Sequence, residues 1–344
     1  MQIARGHVII IIGKGEESIH GEFSDMKRIG ILTSGGDAPG MNAAIRSVVR
    51  TAICSGMSVV GIERGYQGIL DKAFREMQMR SVSDIVQRGG TILRTARCMD
   101  FHKPECQDIA IANMREEGIE GLVVIGGDGS FRGAEALSVK GFPTVGIPGT
   151  IDNDLAYTDY TVGFHTACNT CLEAIDRIRD TSSSHDRITI VEVMGRHCGD
   201  IALYTGIAGG AELIIIPEVP LTFSEIKKSL IEASQKGKSS GMVVLAEGVC
   251  GADELMRFLQ RETNLSIRAT VLGHQQRGGS PSMRDRLLAT QFGYHAVSLL
   301  KKDIGNRVVG ISKEKIIDLD IMEALAMPRK FRKDLYKMAG VVSQ

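Results

Sequence analysis

The sequence predicts an α/β protein built from doubly wound, mostly parallel sheets. Three observations carry this: short β-branched apolar runs recur along the chain, helical patterns lie between them, and glycine-rich turns come after several of the runs. The runs are Ile29-Gly-Ile-Leu, Leu122-Val-Val-Ile, Pro143-Thr-Val-Gly-Ile, Ile188-Thr-Ile-Val-Glu-Val, Leu213-Ile-Ile-Ile and Met242-Val-Val-Leu. Their apolar character is continuous rather than alternating, which marks strands covered on both faces. Between them run helical patterns such as Met41 to Cys54, Cys168 to Arg179 and Phe223 to Lys236. In such sheets ligands bind at the carboxyl ends of strands, so function is sought in the loop after each run.

Composition narrows the function classes. The 344 residues, 43% of them hydrophobic, suffice for a large core in one big or two moderate domains. Lys plus Arg and Asp plus Glu are both 41, so no global field attracts nucleic acid or an anionic membrane, and neither is expected as a partner. Anionic substrates would need positive charge gathered locally. Seven cysteines (Cys54, Cys98, Cys106, Cys168, Cys171, Cys198, Cys250) form no paired metal-binding array, and the one Cys-x-x-Cys falls in a helical run. Reduced cysteines fit a cytosolic protein. The apolar run Val8 to Ile12 is too short for a signal-peptide core or a membrane span, so the expectation is a soluble cytoplasmic protein. Residues 1–26 read as an extension before the first domain strand.

Three loops come after strand-like runs. The first, Thr33-Ser-Gly-Gly-Asp-Ala-Pro-Gly40, opens a helix near Met41; Gly35 and Gly36 let the backbone approach a ligand, and the helix start offers free N–H groups to phosphate. It lacks the Gly-Lys-Ser/Thr ending of a Walker A loop. The second, Gly126-Gly-Asp-Gly-Ser130, presents Asp128, suited either to Mg²⁺ beside phosphates or to capping the helix that runs through Ala134 and Leu137. The third, Ile147-Pro-Gly-Thr-Ile-Asp-Asn-Asp154, brings Asp152 and Asp154 two residues apart. An extended backbone would aim both the same way, as suits a base beside a carboxylate that supports a metal or orients water. Each loop alone also fits an ordinary turn. Arg97, Arg187, Arg196, Arg268 and Arg277 lie in or beside loops or strand ends, and guanidinium forks suit phosphate oxygens.

Thr33 to Ala44, Gly126 to Ser130, Pro148-Gly-Thr-Ile-Asp-Asn-Asp154, Met194-Gly-Arg-His-Cys-Gly199 and Gly273-His-Gln-Gln-Arg-Gly-Gly-Ser-Pro281, in this order, resemble the phosphofructokinase family, in its short bacterial form. The resemblance runs from about Lys27 to about Pro328. It implies two interleaved Rossmann-like domains: 27–163 plus 276–326, larger and ATP-binding, and 164–275 plus 327–344, smaller and sugar-phosphate-binding. It implies phosphoryl transfer from MgATP to the 1-hydroxyl of fructose 6-phosphate, a committed step of glycolysis, by a homotetramer.

The resemblance also assigns roles by position. It makes Asp152 the base and Asp128 the Mg²⁺ carboxylate, with Asp154 close by. Thr150, Arg97 and Arg196 would stabilise the transferring group. Gly36, Arg97, Cys98, Gly127, Asp128, Gly129 and Ser130 would bind ATP. Thr150, Ile151, Asp152, Met194, Gly195, Arg196, Glu247, His274, Gln275, Gln276 and Arg277 would hold the sugar phosphate, with Arg187 and Arg268 reaching in from a neighbouring subunit. An effector site for nucleotides and phosphoenolpyruvate would use Arg46 and Arg50, on one helix face, with Arg179, Glu212, Lys236 and Lys238. Met79 departs from that pattern, where some bacterial members carry an arginine. Pyrophosphate-using relatives carry an Asp at the place of Gly129 and a Lys at that of Gly149; both are glycine here, which favours ATP. A lipid or NAD kinase shares the Gly-Gly-Asp-Gly turn but not the loops Pro148 to Asp154 and His274 to Pro281. A silent sensor of sugar phosphates would be expected to lack Asp152 or Asp128.

Overall fold

A computed structural model describes residues 26–236, 238, 240–329 and 331–343. Most of the N-terminal extension thus lies outside the described residues. Among the described residues, twelve strands form two sheets. In chain order they are β1 (Arg28–Thr33), β2 (Ser58–Ile62), β3 (Phe74–Met77), β4 (Gly121–Gly126), β5 (Thr144–Thr150), β6 (Val162–Gly163), β7 (Ile188–Val193), β8 (Leu213–Ile215), β9 (Gly241–Ala246), β10 (Ile267–Val271), β11 (Arg307–Ser312) and β12 (Lys315–Asp320).

The larger sheet has the order β12-β11-β5-β4-β1-β2-β3, with β6 paired to the end of β5. Only the edge strands β3 and β12 run antiparallel to their neighbours. The smaller sheet, β10-β7-β9-β8, is parallel throughout. All six runs read as strands in the sequence are strands, and the Met41–Cys54 helix begins and ends as its pattern indicated. Of the strands not picked out, β3, β10 and β12 lie at edges, where apolar runs break: β10 reads Ile-Arg-Ala-Thr-Val and is mostly part-exposed. The interior strands β2 and β11 were missed as well; their apolar runs, Val-Val-Gly-Ile in both, are interrupted by glycine.

The central strands are covered on both faces. Every residue of β4 and β5 is buried, and helix Met41–Cys54 packs on one face beside helix Met283–Leu300, with Ser47 Oγ donating to Thr290 O at 2.6 Å. Phe131, fully buried on the other face, anchors the helix after β4; truncating such a ring to alanine costs about 3–5 kcal/mol.

The chain crosses between sheets more than once. It leaves the larger one after β6 through the long helix Phe164–Ser184, builds the smaller sheet, and returns through helix Met283–Leu300 to β11 and β12. Its last helix, Lys333–Val342, packs back toward the smaller sheet, where Tyr336 Oη donates to Ile214 O at 3.5 Å. The buried Asp285 ties the crossings together. It accepts from Gly163 N at 2.9 Å, Thr166 N at 2.7 Å and Ser282 Oγ at 3.1 Å, so one carboxylate caps the start of helix Phe164–Ser184 and holds Ser282, the residue that caps helix Met283–Leu300.

Strand order positions the site. From β1 the chain steps to β2 on one side and later to β4 on the other, so the carboxyl ends of β1 and β4 flank a switch point where loops diverge. Ser34 N donates to Ile125 O at 2.9 Å there and fixes the first loop against the second.

Candidate active site

The loops after β1, β4 and β5 meet at one crevice. The approach of the first two is close enough to demand glycine: a Cβ on Gly126 would stand 2.4 Å from Ser130 Oγ and 2.6 Å from Ser34 O. Helix Asp128–Val139 starts at this point and turns its free N–H groups toward the crevice mouth. After β5, Asp152 N donates to Thr150 Oγ1 at 3.2 Å. The segment is not extended, as the sequence suggested, because Asn153 takes a left-handed conformation at φ +52°. Asp152 and Asp154 nevertheless both line the same cavity.

That cavity encloses about 610 Å³, the size of a nucleotide-scale ligand site. Its lining combines two chemistries. Tyr66, stacked on Phe101 at 4.2 Å between ring centroids, contributes with Met99 and Ala136. Gly36, Asp128, Thr150, Asp152, Asp154, Arg196 and Arg277 line the same cavity. Aromatic and apolar side chains suit a base, and arginines with carboxylates suit phosphates with a cation.

Asp152 is 1% exposed, and its Oδ2 lies 3.3 Å from Arg196 Nε, while its Oδ1 is buried without a hydrogen-bond partner among the described residues. Burial raises its pKa above the ordinary carboxylate value and the charge of Asp154 adds to this, with Arg277 and Arg196 opposing. Asp154 is raised in the same way, chiefly by burial, and its Oδ1 also has no partner. Arg196 stands in a left-handed conformation, φ +53°, held by Glu247 Oε1, which accepts from Arg196 N at 2.9 Å and Gly195 N at 3.2 Å. Asp128 is partly exposed and paired with Arg132, one turn along its helix, at 2.9 Å. Hard carboxylate oxygens at Asp128 and the unpartnered oxygen of Asp154 suit a divalent cation such as Mg²⁺.

The structure brings together Gly36, Arg97, Cys98, Gly127, Asp128, Gly129, Ser130, Thr150, Asp152, Asp154, Arg196 and Arg277, all lining the cavity. Ile151 is fully buried behind it. Gln276 is fully buried too, its amide oxygen accepting from Met194 N at 3.0 Å and from the Cys171 thiol at 3.1 Å. Its part in this chain is to hold the Met194 loop. Met194, Gly195 and Glu247 do not line the cavity themselves; Glu247 reaches it through the Gly195 and Arg196 backbone it holds. Arg187, Arg268, His274 and Gln275 do not line it; Arg268, on edge strand β10, donates to Ile267 O.

The residues read as an effector set fall into two groups. Arg179 donates to Gly209 O and Gly210 O, with Glu212 4.0 Å away and Lys238 Nζ donating to Ser343 O at 2.7 Å; Lys236 is exposed at the end of its helix. Arg46 and Arg50 share helix Met41–Cys54, and among the described residues no hydrogen bond or ion pair joins them to the other group. The Cys168–Cys171 pair is helical, with Cys171 buried. Among the described residues no helix is long and apolar enough to cross a membrane.

Sequence reasoning missed Tyr66, Phe101, Arg132 and the residues behind the catalytic loop: Asn153, Asp200, Glu218 and Arg329. The four-residue spacing of Asp128 and Arg132 was a local signal for one of them; the others meet only through the fold.

The two donor-reading glycines differ in their surroundings. A Cβ on Gly129 would meet nothing within 4 Å, so a side chain there would project into open space; one on Gly149 would stand 2.8 Å from Ile125 Cγ2.

The phosphofructokinase family profile matches residues 28–300, which take in β1 to β10 and every strand-end loop of the site. The chain belongs to the phosphofructokinase family. It is 57% identical over 93% of its length to an ATP-dependent 6-phosphofructokinase of Clostridium botulinum (strain Hall) and, to the same degree, to that of Clostridium acetobutylicum, covering the whole of each. The phosphofructokinase structure from Saccharomyces cerevisiae superposes with a TM-score of 0.80 at 36% identity, over 92% of this chain and 46% of that longer one. The family membership and the mixed α/β fold inferred from the sequence are thereby established.

Proposed function

We infer that the chain transfers the γ-phosphoryl group of MgATP to the 1-hydroxyl of fructose 6-phosphate, giving fructose 1,6-bisphosphate and ADP. The observation that carries this reading is the buried carboxylate of Asp152. It has one oxygen free of partners, in a nucleotide-sized cavity where arginines and strand-end loops converge.

Asp152 accepts the proton of the 1-hydroxyl as that oxygen attacks the γ-phosphorus, and the bond from the γ-phosphorus to the β–γ bridging oxygen breaks. Negative charge on the transferring oxygens is met by Arg97, Arg196, Thr150 and the Gly36 backbone. Such transfers rest on positioning and charge neutralisation more than on covalent help from the protein. Asp128 would hold Mg²⁺, with Asp154 close by; the ion, bound with the nucleotide, supplies charge neutralisation at the phosphates. Cys98, Gly127, Gly129 and Ser130 flank the nucleotide, and the Tyr66–Phe101 stack offers its base a flat surface.

The sugar phosphate lies toward the smaller sheet, against Arg277, Met194 to Arg196 and Glu247, with His274 and Gln275. Arg187 and Arg268 stand outside the cavity of their own chain, which fits a homotetramer in which they complete a neighbour's site. The division of labour is 27–163 plus 276–326 for the nucleotide and 164–275 plus 327–344 for the sugar phosphate. Arg46 and Arg50, with Arg179, Glu212, Lys236 and Lys238, form a nucleotide or phosphoenolpyruvate effector site across a subunit boundary, and the enzyme works in the cytoplasm.

The test is fructose 1,6-bisphosphate formation from fructose 6-phosphate and Mg²⁺, run in parallel with ATP and with pyrophosphate. Product with ATP alone is the expected result. Product with pyrophosphate alone would overturn the donor, and product with neither from folded protein would leave a silent sensor.

A further inference from the structure

Behind the catalytic loop lies a charged cluster that no assigned role accounts for. Arg329, in the segment after β12, donates to Asp200 Oδ1 at 2.7 Å and also to Glu218 Oε1. Both carboxylates are nearly buried, at 10% and 14% side-chain exposure. Each hands its second function to one of the two loops that carry the reaction. Asp200 Oδ2 accepts from Asn153 Nδ2 at 2.9 Å, and Asn153 sits between Asp152 and Asp154 in a left-handed conformation. Glu218 accepts from Gly199 N at 2.9 Å, at the end of the loop that begins with Gly195 and Arg196. Asn153 is clamped from its other side as well, its Oδ1 accepting from Thr161 N at 3.0 Å.

We propose that Arg329, Asp200 and Glu218 form a positioning assembly in which one guanidinium sets the base loop and the Arg196 loop at their working separation. None of the three lines the cavity, so none touches substrate. Cys198, Asp200 and Glu218 offer ligand atoms within 4.8 Å of one another, a spacing a metal ion could use. The guanidinium already bonded to both carboxylates favours the ion-pair reading. Breaking a buried pair by removing one partner is costly because a buried charge is left alone. Here the loss would fall on loop geometry, where a displacement of about 1 Å can cost on the order of 10²-fold in rate.

The inference rests on Asp152 as the base, and the experiment separates the two. Turnover, both Michaelis constants and the melting temperature are compared for the full chain and for Arg329→Met, Arg329→Lys, Asp152→Ser and the charge-neutral triple variant D200N/E218Q/R329M. The triple variant leaves no lone buried charge and guards against a misfolded single variant. Arg329→Met is expected to lower kcat by about tenfold or more, with each KM within about threefold. Arg329→Lys should recover part of that loss, because it keeps the charge.

The split between kcat and KM and the partial rescue by lysine are readouts that a purely structural role would not move. Folded Arg329→Met or triple variant with kcat within twofold, beside an inactive Asp152→Ser, overturns the assembly and spares the base. Undiminished turnover in Asp152→Ser overturns the base itself.

Discussion

Arg196 and Asp152 meet across two loops, Nε to Oδ2 at 3.3 Å, one side chain 61% exposed and the other almost fully enclosed. The pairing sets a solvent-facing positive charge beside a carboxylate kept from water. Asp152 therefore keeps an affinity for protons above that of an ordinary carboxylate, while the group that moderates it reaches toward the cavity where phosphate would lie.

Asp152→Ser should lower turnover by at least about a hundredfold, since a positioned base contributes roughly 10²–10⁴. Calorimetric titration with fructose 6-phosphate should still show binding, because the arginines that would hold the phosphate are untouched. Turnover within tenfold of the parent would rule the base assignment out.

The same carboxylate burdens the fold. Its folded-state pKa is raised, so the folded chain holds the proton more tightly than the unfolded one, and stability falls as pH rises from the ordinary carboxylate value through the raised one. Asp152→Asn should therefore melt at a higher temperature than the parent at neutral pH. The gain is of the order of an unsatisfied buried polar group, about 1–3 kcal/mol. Calorimetry at neutral and acidic pH should show that advantage shrinking below the ordinary carboxylate range.

Gly129→Asp tests the donor site without disturbing the fold. The added side chain meets no protein atom at its Cβ and projects into the space assigned to the nucleotide. The KM for ATP should rise by about tenfold or more, matching about 1.4 kcal/mol, at an unchanged melting temperature. An unaltered KM for ATP would show that the nucleotide lies elsewhere.

Arg187→Ala should raise the KM for fructose 6-phosphate and leave that for ATP in place. Because Arg187 does not line its own chain's cavity, mixing dissociated Arg187→Ala and Asp152→Ser subunits should rebuild sites with both wild-type halves, about a quarter of the total on random reassembly. No recovery on mixing would place Arg187 at its own chain's site.

The sequence made the strand-to-loop half of the site legible because that chemistry is local. A parallel strand covered on both faces reads as an unbroken apolar run, and the loop after it must lie at the carboxyl edge of the sheet, so Gly126 to Ser130 and Thr150 to Asp154 could be placed from pattern alone. The supports were not legible for the opposite reason. Arg329 meets Asp200 across 129 positions of chain, and Gln276 meets Met194 across 82. Pairings of that separation are fixed by how the two sheets dock, which no local periodicity encodes. The bend at Asn153 escaped too, since its left-handed backbone depends on Asp200 and Thr161 holding the side chain. Those contacts let Asp152 and Asp154 share a cavity without the extended segment that alternation assumes.

The unequal surroundings of Gly129 and Gly149 bear on how this chain could change over generations. Glycine and aspartate codons differ by a single nucleotide, and the first position has empty space waiting for the new side chain. Reaching lysine at the second takes more than one base change, and its Cβ, 2.8 Å from Ile125 Cγ2, would force that side chain to shift. A drifting lineage can lose its grip on adenosine triphosphate in one step, yet a matching pyrophosphate pocket lies several mutations further on, through intermediates that serve neither donor well. Donor identity in this scaffold is thus guarded less by the fitness of the present site than by the poor ground that separates it from the alternative.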